Sequence, residues 1–400
     1  MTPLQVLIPA DIRFPLERAN GVQIVKTAAA LARAGCRARL LVRHTDPRPT
    51  EEILALYGLA PHEGLDVRRL GVLHREGSFA LPRASFLAQA SALASAALRS
   101  GALVYTRDLQ LADLLLGLGP LAAGPIVYEA HAVEALMYRE RGALYGTGEA
   151  PNKRKAARLA RREQRVWRRS AGFVATTGGI LQTFSETHGP RERFRVIPNG
   201  CDVAEDRLFP GLAAAPGEPR VLYAGQLYPW KGVDVLVEAM TLVPGAKLVI
   251  LGGLPGEADM ERVRALVAAR GLESRTEMPG TVPQAQVGDE LRRASVVVVP
   301  FLRTLMTERH TSPLKAFEAM AAGRPLVASD LPSSREFLRD GESALLVPPG
   351  DSASLAAAMR RLVEDRALAE RLARAAWDEA PRYSWDARAR TLVSLFEEVR

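Results

Sequence analysis

His310-Thr311-Ser312-Pro313-Leu314-Lys315-Ala316-Phe317-Glu318-Ala319-Met320 follows shortly after the apolar run Val296-Val297-Val298-Val299. A short unbroken run of β-branched residues reads as a parallel strand buried on both faces. Ser312 is suited to cap a helix and Pro313 to open it. Leu314, Phe317, Glu318 and Ala321 then recur at helical spacing. The stretch predicts a loop beyond the carboxyl end of a strand that ends in a helix N-terminus. Free N–H groups and a positive dipole end at such a place favour a phosphate. Lys315 adds a full charge in the first turn, and Glu318, one turn on, is placed to accept hydrogen bonds from sugar hydroxyls. An ordinary capped helix with a surface lysine and glutamate gives the same pattern, so the rest of the chain must decide.

The chain has 400 residues, more than one core accommodates and enough for two domains. A hydrophobic content of 48% with 24% charged residues is that of a folded protein. Lys and Arg number 53 against 45 Asp and Glu, a net charge of +8, and the sequence pI is about 9.8. That balance favours anionic partners. Aromatic residues make up only 6% and do not interleave with a basic strip, so a stacking platform for nucleic acid is not expected. Cys36 and Cys201 are too few for a disulfide framework and lack metal-ligand spacing, which makes a reducing cytoplasm the expected compartment. Met1-Thr2-Pro3 leads straight into Val6-Leu7-Ile8, without a charged leader and apolar signal core. The uncharged window Leu114 to Tyr128 holds fifteen residues, broken by Pro120 and Pro125. That is short of the roughly 20 residues a spanning helix needs.

Short apolar strands alternate with helical patterns through both halves. Val6-Leu7-Ile8, Leu40-Leu41-Val42, Leu103-Val104-Tyr105, Ile126-Val127-Tyr128, Phe173-Val174-Ala175 and Val196-Ile197 form the first series. Gly21 opens a helix over Val22 to Ala34, and a second helix is expected over Ala84 to Leu98. Pro210-Gly211, Ala213-Ala214-Ala215 and Pro216-Gly217-Glu218-Pro219 mark a linker over 205–219. The alternation then restarts with Val221-Leu222-Tyr223, Leu248-Val249-Ile250-Leu251, the valine run, Leu326-Val327-Ala328 and Leu345-Leu346-Val347. The expected class is α/β, with two Rossmann-like domains facing across a cleft. They would occupy 1–204 and 220–382. A last helix, Asp386 to Val399 within 383–400, would return to the first domain.

Asn152 to Ser170 carries nine Lys and Arg against Glu163 alone. Arg154, Arg158, Arg161, Arg165 and Arg168 fall on one strip of a helix. Such a helix suits peripheral contact with an anionic membrane; the alternative is a solvated face.

In order along the chain, several stretches together resemble the retaining, nucleotide-sugar-dependent glycosyltransferases of family four, of GT-B fold. They are Val196-Ile197-Pro198-Asn199-Gly200 with Asp202, Tyr223-Ala224-Gly225-Gln226-Leu227, and Trp230-Lys231-Gly232-Val233-Asp234. Phe317 to Pro325, Ser329-Asp330, Glu336 and Leu346 to Asp351 complete the match. The resemblance implies sugar transfer from a nucleoside-diphosphate sugar, without a metal or other cofactor. By the same resemblance, Glu318 would bind the donor ribose and Lys231 the diphosphate. The N–H groups near Ser312, Pro313, Leu314 and Lys315 would cradle the β-phosphate and sugar. Gly21 would let the backbone close on the phosphates without a Cβ in the way. His131 would lie near the transferred sugar. Glu129 would either meet the acceptor or orient His131, the second being preferred. Residues 44–82, with His62 and His74, would shape the acceptor side.

Two positions depart from the family pattern. His310 stands where the family's paired-glutamate motif has its first Glu, and Gln226 where it has Arg. Lys315, in a Ser-Pro-Leu-Lys helix opening, is expected to replace that Arg in part. His310 reads equally as a catalytic-site residue or as a solvated loop histidine. The departures keep a non-catalytic nucleotide-sugar-binding subunit open as a rival, and a nucleotide-sugar epimerase of the same fold is another. Base, sugar and acceptor are not legible.

Overall fold

The computed structural model describes residues 3–16, 18–73, 80–204, 207–212 and 218–400. His74 and the linker positions 205–206 and 213–217 lie outside the described residues. Two compact units result, one of Met1–Arg139, Pro151–Pro198 and Trp385–Arg400, the other of Glu140–Ala150 and Asn199–Ser384.

The first unit holds a seven-stranded sheet. Its strands are β1 (Gln5–Phe14), β2 (Arg37–His44), β3 (Leu65–Leu70), β4 (Leu103–Thr106), β5 (Ile126–Ala130), β6 (Gly172–Ala175) and β7 (Phe194–Val196). They run in the order β3-β2-β1-β4-β5-β6-β7, every pair parallel. β4, β5 and β6 are buried along their whole length, as strands covered by helices on both faces must be. The order reverses between β1 and β4. Loops leaving the carboxyl ends of those two strands diverge and leave a crevice, where such sheets bind ligands.

The second unit repeats the plan with a six-stranded sheet. It contains β8 (Arg220–Ala224), β9 (Lys247–Leu251), β10 (Thr276–Gly280), β11 (Val296–Val299), β12 (Leu326–Ser329) and β13 (Leu345–Val347). The order is β10-β9-β8-β11-β12-β13, again parallel throughout. The valine run is β11, fully buried beside β8. Here the reversal lies between β8 and β11.

The last helix, Trp385–Val399, belongs to the first unit and packs on the Ala19–Arg33 helix. Its buried face is Trp385, Arg388, Ala389, Leu392, Leu395 and Phe396. Phe396 meets the Tyr105 ring at 5.5 Å between centroids. At its rim, Arg33 and Asp386 pair at 2.7 Å.

Several details differ from the sequence reading. The first unit ends at Pro198 because the next residues bond within the second: Asn199 Nδ2 donates to the Ser312 carbonyl at 2.7 Å, and Cys201 N to the Tyr383 carbonyl at 2.9 Å. Glu140–Ala150 also joins the second unit, where Tyr145 meets Tyr228 edge to face at 5.2 Å. Gly21 does not open its helix, which starts at Ala19. The edge strands β3 and β10 are absent from the expected series.

Candidate functional site

In the second unit the crevice is built by three segments. β8 runs into Gly225 and Gln226, then a tight turn over Pro229–Lys231. Gly232 follows in the left-handed region at φ 72°, and a Cβ there would sit 1.8 Å from the Pro300 carbonyl oxygen. Only glycine lets this turn press against the end of β11. Leu302 N donates to the Trp230 carbonyl at 3.0 Å and closes the same contact. Lys231 is thereby held with its Nζ 4.1 Å from the Trp230 ring centroid and 4.4 Å from that of Phe301. No carboxylate among the described residues pairs with it. Burial pushes its ammonium down to about 7, so a bound anion would restore its full charge.

The loop after β11 is held by threonine hydroxyls. Thr307 Oγ1 donates to the Leu302 carbonyl at 2.5 Å, and Thr311 Oγ1 to the Met306 carbonyl at 2.9 Å. Ser333 Oγ donates to the Thr307 carbonyl. The segment Met306–His310 is wound as a single π turn, a form that often sits at functional sites. His310 at its end is buried, with neither ring nitrogen hydrogen-bonded. Burial, with Arg309 beside it, pushes the imidazole down to about 4. A solvated loop histidine is excluded.

The helix at the centre of the stretch is Leu314–Ala321, with Pro313 as its N-cap residue and no side-chain cap. Ser312 does not cap it: Ser312 Oγ accepts instead from Asn199 N at 2.9 Å. Ala316 N donates to the Pro313 carbonyl at 3.1 Å, and the N–H groups of Leu314 and Lys315 ahead of it keep no intrahelical acceptor. Lys315 Nζ reaches Glu318 Oε2 at 2.7 Å and Gln284 Oε1 at 3.2 Å, while Gln284 Nε2 donates to Glu318 Oε1 at 2.8 Å. The three side chains form a closed ring in which Lys315 faces Glu318. Of Gln226, the backbone carbonyl accepts from Tyr223 Oη at 2.6 Å.

In the first unit the centre is Glu129, at the end of β5. Its carboxylate accepts from Gln23 Nε2 at 2.8 Å, and from Tyr105, His131 and Arg388. Glu129 and Arg388 have side-chain exposures of 1% and 2%, so the pair is fully inside. Arg388 also donates to the carbonyls of Ile197 at 2.8 Å and Pro198 at 2.7 Å. Burial alone would raise the Glu129 carboxyl; Arg388 and then His131 outweigh it and hold it below its ordinary value. Both Glu129 oxygens are thus engaged by these donors, with His131 Nε2 among them. Burial and the neighbouring Arg107 push His131 down to about 4 against the pull of Glu129. The imidazole is neutral at pH 7. Because an ionised carboxylate only accepts, Nε2 carries the proton and Nδ1 is left as an acceptor.

Gly21 is the third residue of the Ala19–Arg33 helix. A Cβ there would lie 2.0 Å from the Leu16 carbonyl oxygen, so its smallness serves packing between the loop after β1 and the helix. His62 lies elsewhere, its Nδ1 accepting from Gly64 N at 3.0 Å. Arg388, Gln23, Arg107 and Gln284 were not foreseen. A signal for Arg388 existed: it falls on the apolar face of its helix, beside Trp385, Ala389 and Leu392.

Residues 20–200 match the family described as Glycosyl transferase 4-like domain, and residues 218–365 match Glycosyl transferases group 1. A D-inositol 3-phosphate glycosyltransferase of Nocardia farcinica is 30% identical over 292 residues, covering 68% of this chain and 60% of the relative. A phosphatidyl-myo-inositol mannosyltransferase of Mycobacterium leprae is 35% identical over 209 residues, covering 51% and 53%. The chain thus spans only about half to two thirds of the length of these relatives. Among solved structures, sucrose-phosphate synthase from Thermosynechococcus elongatus superposes with a TM-score of 0.75 at 21% identity, covering 99% of both chains. Anabaena HepE in complex with UDP and glucose gives 0.73 at 18%, covering 98% of this chain and 99% of that one. Both are GT-B structures, and the likeness extends the two-sheet fold over the whole chain.

Two outcomes follow. Arg388→Met leaves a carboxylate buried without its partner and is expected to destabilise the first unit by about 3–5 kcal/mol. Adding Glu129→Gln should restore part of that loss in urea unfolding; strictly additive losses would show that the two groups are not coupled. For His310, the folded-state value lies below the unfolded one. Its contribution to stability is thus complete above about pH 6.5 and lost as pH falls toward about 4. His310→Leu should flatten the pH dependence of unfolding in that window by on the order of 2–3 kcal/mol, and an unchanged slope would contradict a buried neutral imidazole.

Proposed function

We propose, for a chain whose two domains belong to the glycosyltransferases, the transfer of a sugar from a nucleoside-diphosphate sugar to a hydroxyl acceptor, with retention at the anomeric carbon. The observation that carries this reading is the second unit's crevice. There an uncompensated lysine, an uncapped helix N-terminus and a carboxylate within a hydrogen-bonded ring converge at one topological switch point. Structures of Anabaena HepE with UDP and with UDP-glucose support a donor of this class for the same fold.

Lys231 takes the diphosphate, gaining charge as the anion arrives. The N–H groups at the start of Leu314–Ala321 meet the charge that develops on the departing phosphate. Glu318 accepts the ribose hydroxyls, and Gln284 and Lys315 hold its carboxylate for that task. His310 completes its empty hydrogen bonds with a hydroxyl of the donor. In the first unit, the Nδ1 lone pair of His131 is free to accept from a sugar hydroxyl. As the bond from the anomeric carbon to phosphate oxygen breaks, the acceptor oxygen bonds that carbon on the same face, and its proton passes to the departing phosphate. A metal is not needed in this scheme, because fixed N–H groups and Lys231 carry the compensating charge.

A thermal-shift panel of UDP, GDP and ADP with their common sugars, with and without magnesium, tests the reading. One nucleotide should stabilise the protein selectively and equally without magnesium. Glu318→Ala should remove roughly tenfold or more in affinity, as for loss of a charged hydrogen bond. Lys231→Met should weaken the diphosphate but not the free nucleoside. A panel without any response would contradict the donor site.

A further inference from the structure

Lys231 is one of six lysines among the 53 basic residues of the chain. Unlike the guanidinium of an arginine, its amine can give up a proton. Its seat is made of ring faces, Trp230 at 4.1 Å and Phe301 at 4.4 Å from Nζ. Such faces attract an ammonium but do not accept its three N–H groups as oxygens would. The charged groups on the surrounding segments are matched elsewhere. Asp234, on the helix Val233–Met240, pairs with Arg262, and Arg303, on the loop after β11, pairs with Glu308. His310 on that loop is neutral. Burial is accordingly the one cause that lowers the lysine.

The outer wall of this seat is a ladder of rings. Tyr228 stacks on Trp230 at 5.9 Å between centroids, and Tyr145 meets Tyr228 edge to face at 5.2 Å. Trp230 Nε1 is buried without a hydrogen-bond partner, so the inside of the wall is out of water's reach. Tyr145 is carried by Glu140–Ala150, which belongs to the second unit. That segment is braced from within. Tyr145 N donates to the Arg141 carbonyl at 2.9 Å, Thr147 N donates to the Gly142 carbonyl at 3.0 Å, and Arg141 pairs with Glu149 at 3.0 Å. A Cβ at Gly142 would lie 2.4 Å from the Glu149 carbonyl oxygen, a closeness that glycine alone permits. Tyr145 is nevertheless 46% exposed. What this braced turn delivers with it is a ring edge against Tyr228, and so against the wall of the lysine's seat.

We propose that Tyr145 is a positioning residue for the diphosphate lysine: through Tyr228 it closes the aromatic seat of Lys231 to water, so that the donor's diphosphate and a proton bind together. The proposal rests on the glycosyltransferase reading. The proton comes from solvent to the Nζ lone pair as the anion arrives, and it returns to solvent when the nucleoside diphosphate leaves. A diphosphate is therefore bound more weakly as pH rises, while an uncharged nucleoside is indifferent.

Two measurements on the full chain test this. Lysine-selective 15N labelling reads the amine without any nucleotide, and Lys231→Arg assigns its signal among the six. In the parent chain the amine should titrate at about 7. In Tyr145→Ala, a change at an exposed position that leaves the fold intact, it should move toward the ordinary lysine value of about 10.4. Tyr145→Phe keeps the ring and should match the parent. Calorimetric titration with UDP, GDP and ADP at pH 7 and pH 8.5, each against its nucleoside, reads the consequence. An amine titrating at about 7 predicts roughly a fifteenfold loss of diphosphate affinity over that interval, with nucleoside affinity unchanged. Tyr145→Ala and Lys231→Arg should each lose less than about threefold. A tyrosine that merely stabilised its own turn would lower affinity equally at both pH values. The proposal is overturned if the amine titrates alike in the parent and in Tyr145→Ala, if Tyr145→Phe behaves as Tyr145→Ala does, or if the pH dependence survives Lys231→Arg. If no nucleoside diphosphate binds the parent chain, the donor reading fails and the coupling with it. If one binds but Tyr145→Ala keeps the parent's pH dependence, the role of Tyr145 fails and the donor reading stands.

Discussion

The ion pair between Glu129 and Arg388 joins the end of β5 to the last helix of the chain, and the first unit is arranged around it. Neither group is tolerable in the interior without the other, since an unpaired buried charge costs several kcal/mol. The surrounding donors and acceptors settle the remainder: Gln23 and Tyr105 on the carboxylate, the carbonyls of Ile197 and Pro198 on the guanidinium. The unit is completed only when residues 385–400 return to it. This buried pair therefore depends on residues more than 250 positions apart in sequence. What the pair achieves chemically lies one step away. An ionised carboxylate fixed on one side of His131 selects which nitrogen carries the proton and which is free to accept.

The second unit solves a different problem by opposite means. A site for a diphosphate needs positive groups that are not already neutralised. Lys231 is kept over two aromatic rings instead of beside a carboxylate, and the helix at Leu314 begins without a side-chain cap. Backbone shape holds these groups in place: Gly232 pressed on Pro300, and hydroxyls of Thr307, Thr311 and Ser333 on the loop between β11 and the helix. Such pre-arranged dipoles do not have to reorganise as charge develops on a leaving group. The cost is visible as a lysine with reduced basicity and a histidine with both nitrogens unsatisfied.

Much of this was legible in the chain, because central parallel strands are necessarily unbroken apolar runs. Val296–Val299 and Leu248–Leu251 could be little else. The edge strands β3 and β10 escaped notice for the same reason in reverse: half-exposed Leu65–Leu70 mixes apolar and charged residues, and β10 contains Pro279. Motifs located Glu318, Lys231 and His131, since local chemistry marks them. Their partners were not legible, because Gln284 and Arg388 meet them only through the tertiary fold. Ser312 misled for a related reason. A serine before a proline favours a cap locally, but the Asn199 backbone, 113 positions earlier, takes its oxygen. Gly21 stood out in the sequence, and in the fold its missing side chain makes room for Leu16.

The central claim is that burial and Arg107 keep His131 neutral beside a buried, ionised Glu129, whose carboxylate fixes the proton on Nε2 and leaves Nδ1 open to a ligand. The most direct measurement is a long-range nitrogen–proton correlation spectrum of the full chain labelled at histidine, recorded from pH 8 down to pH 4 with His131→Asn to assign the signals. The account predicts an imidazole protonated on Nε2 and still neutral near pH 5.5, reaching half charge only near pH 4. A proton on Nδ1, or titration at the ordinary histidine value near 6.5, would contradict it.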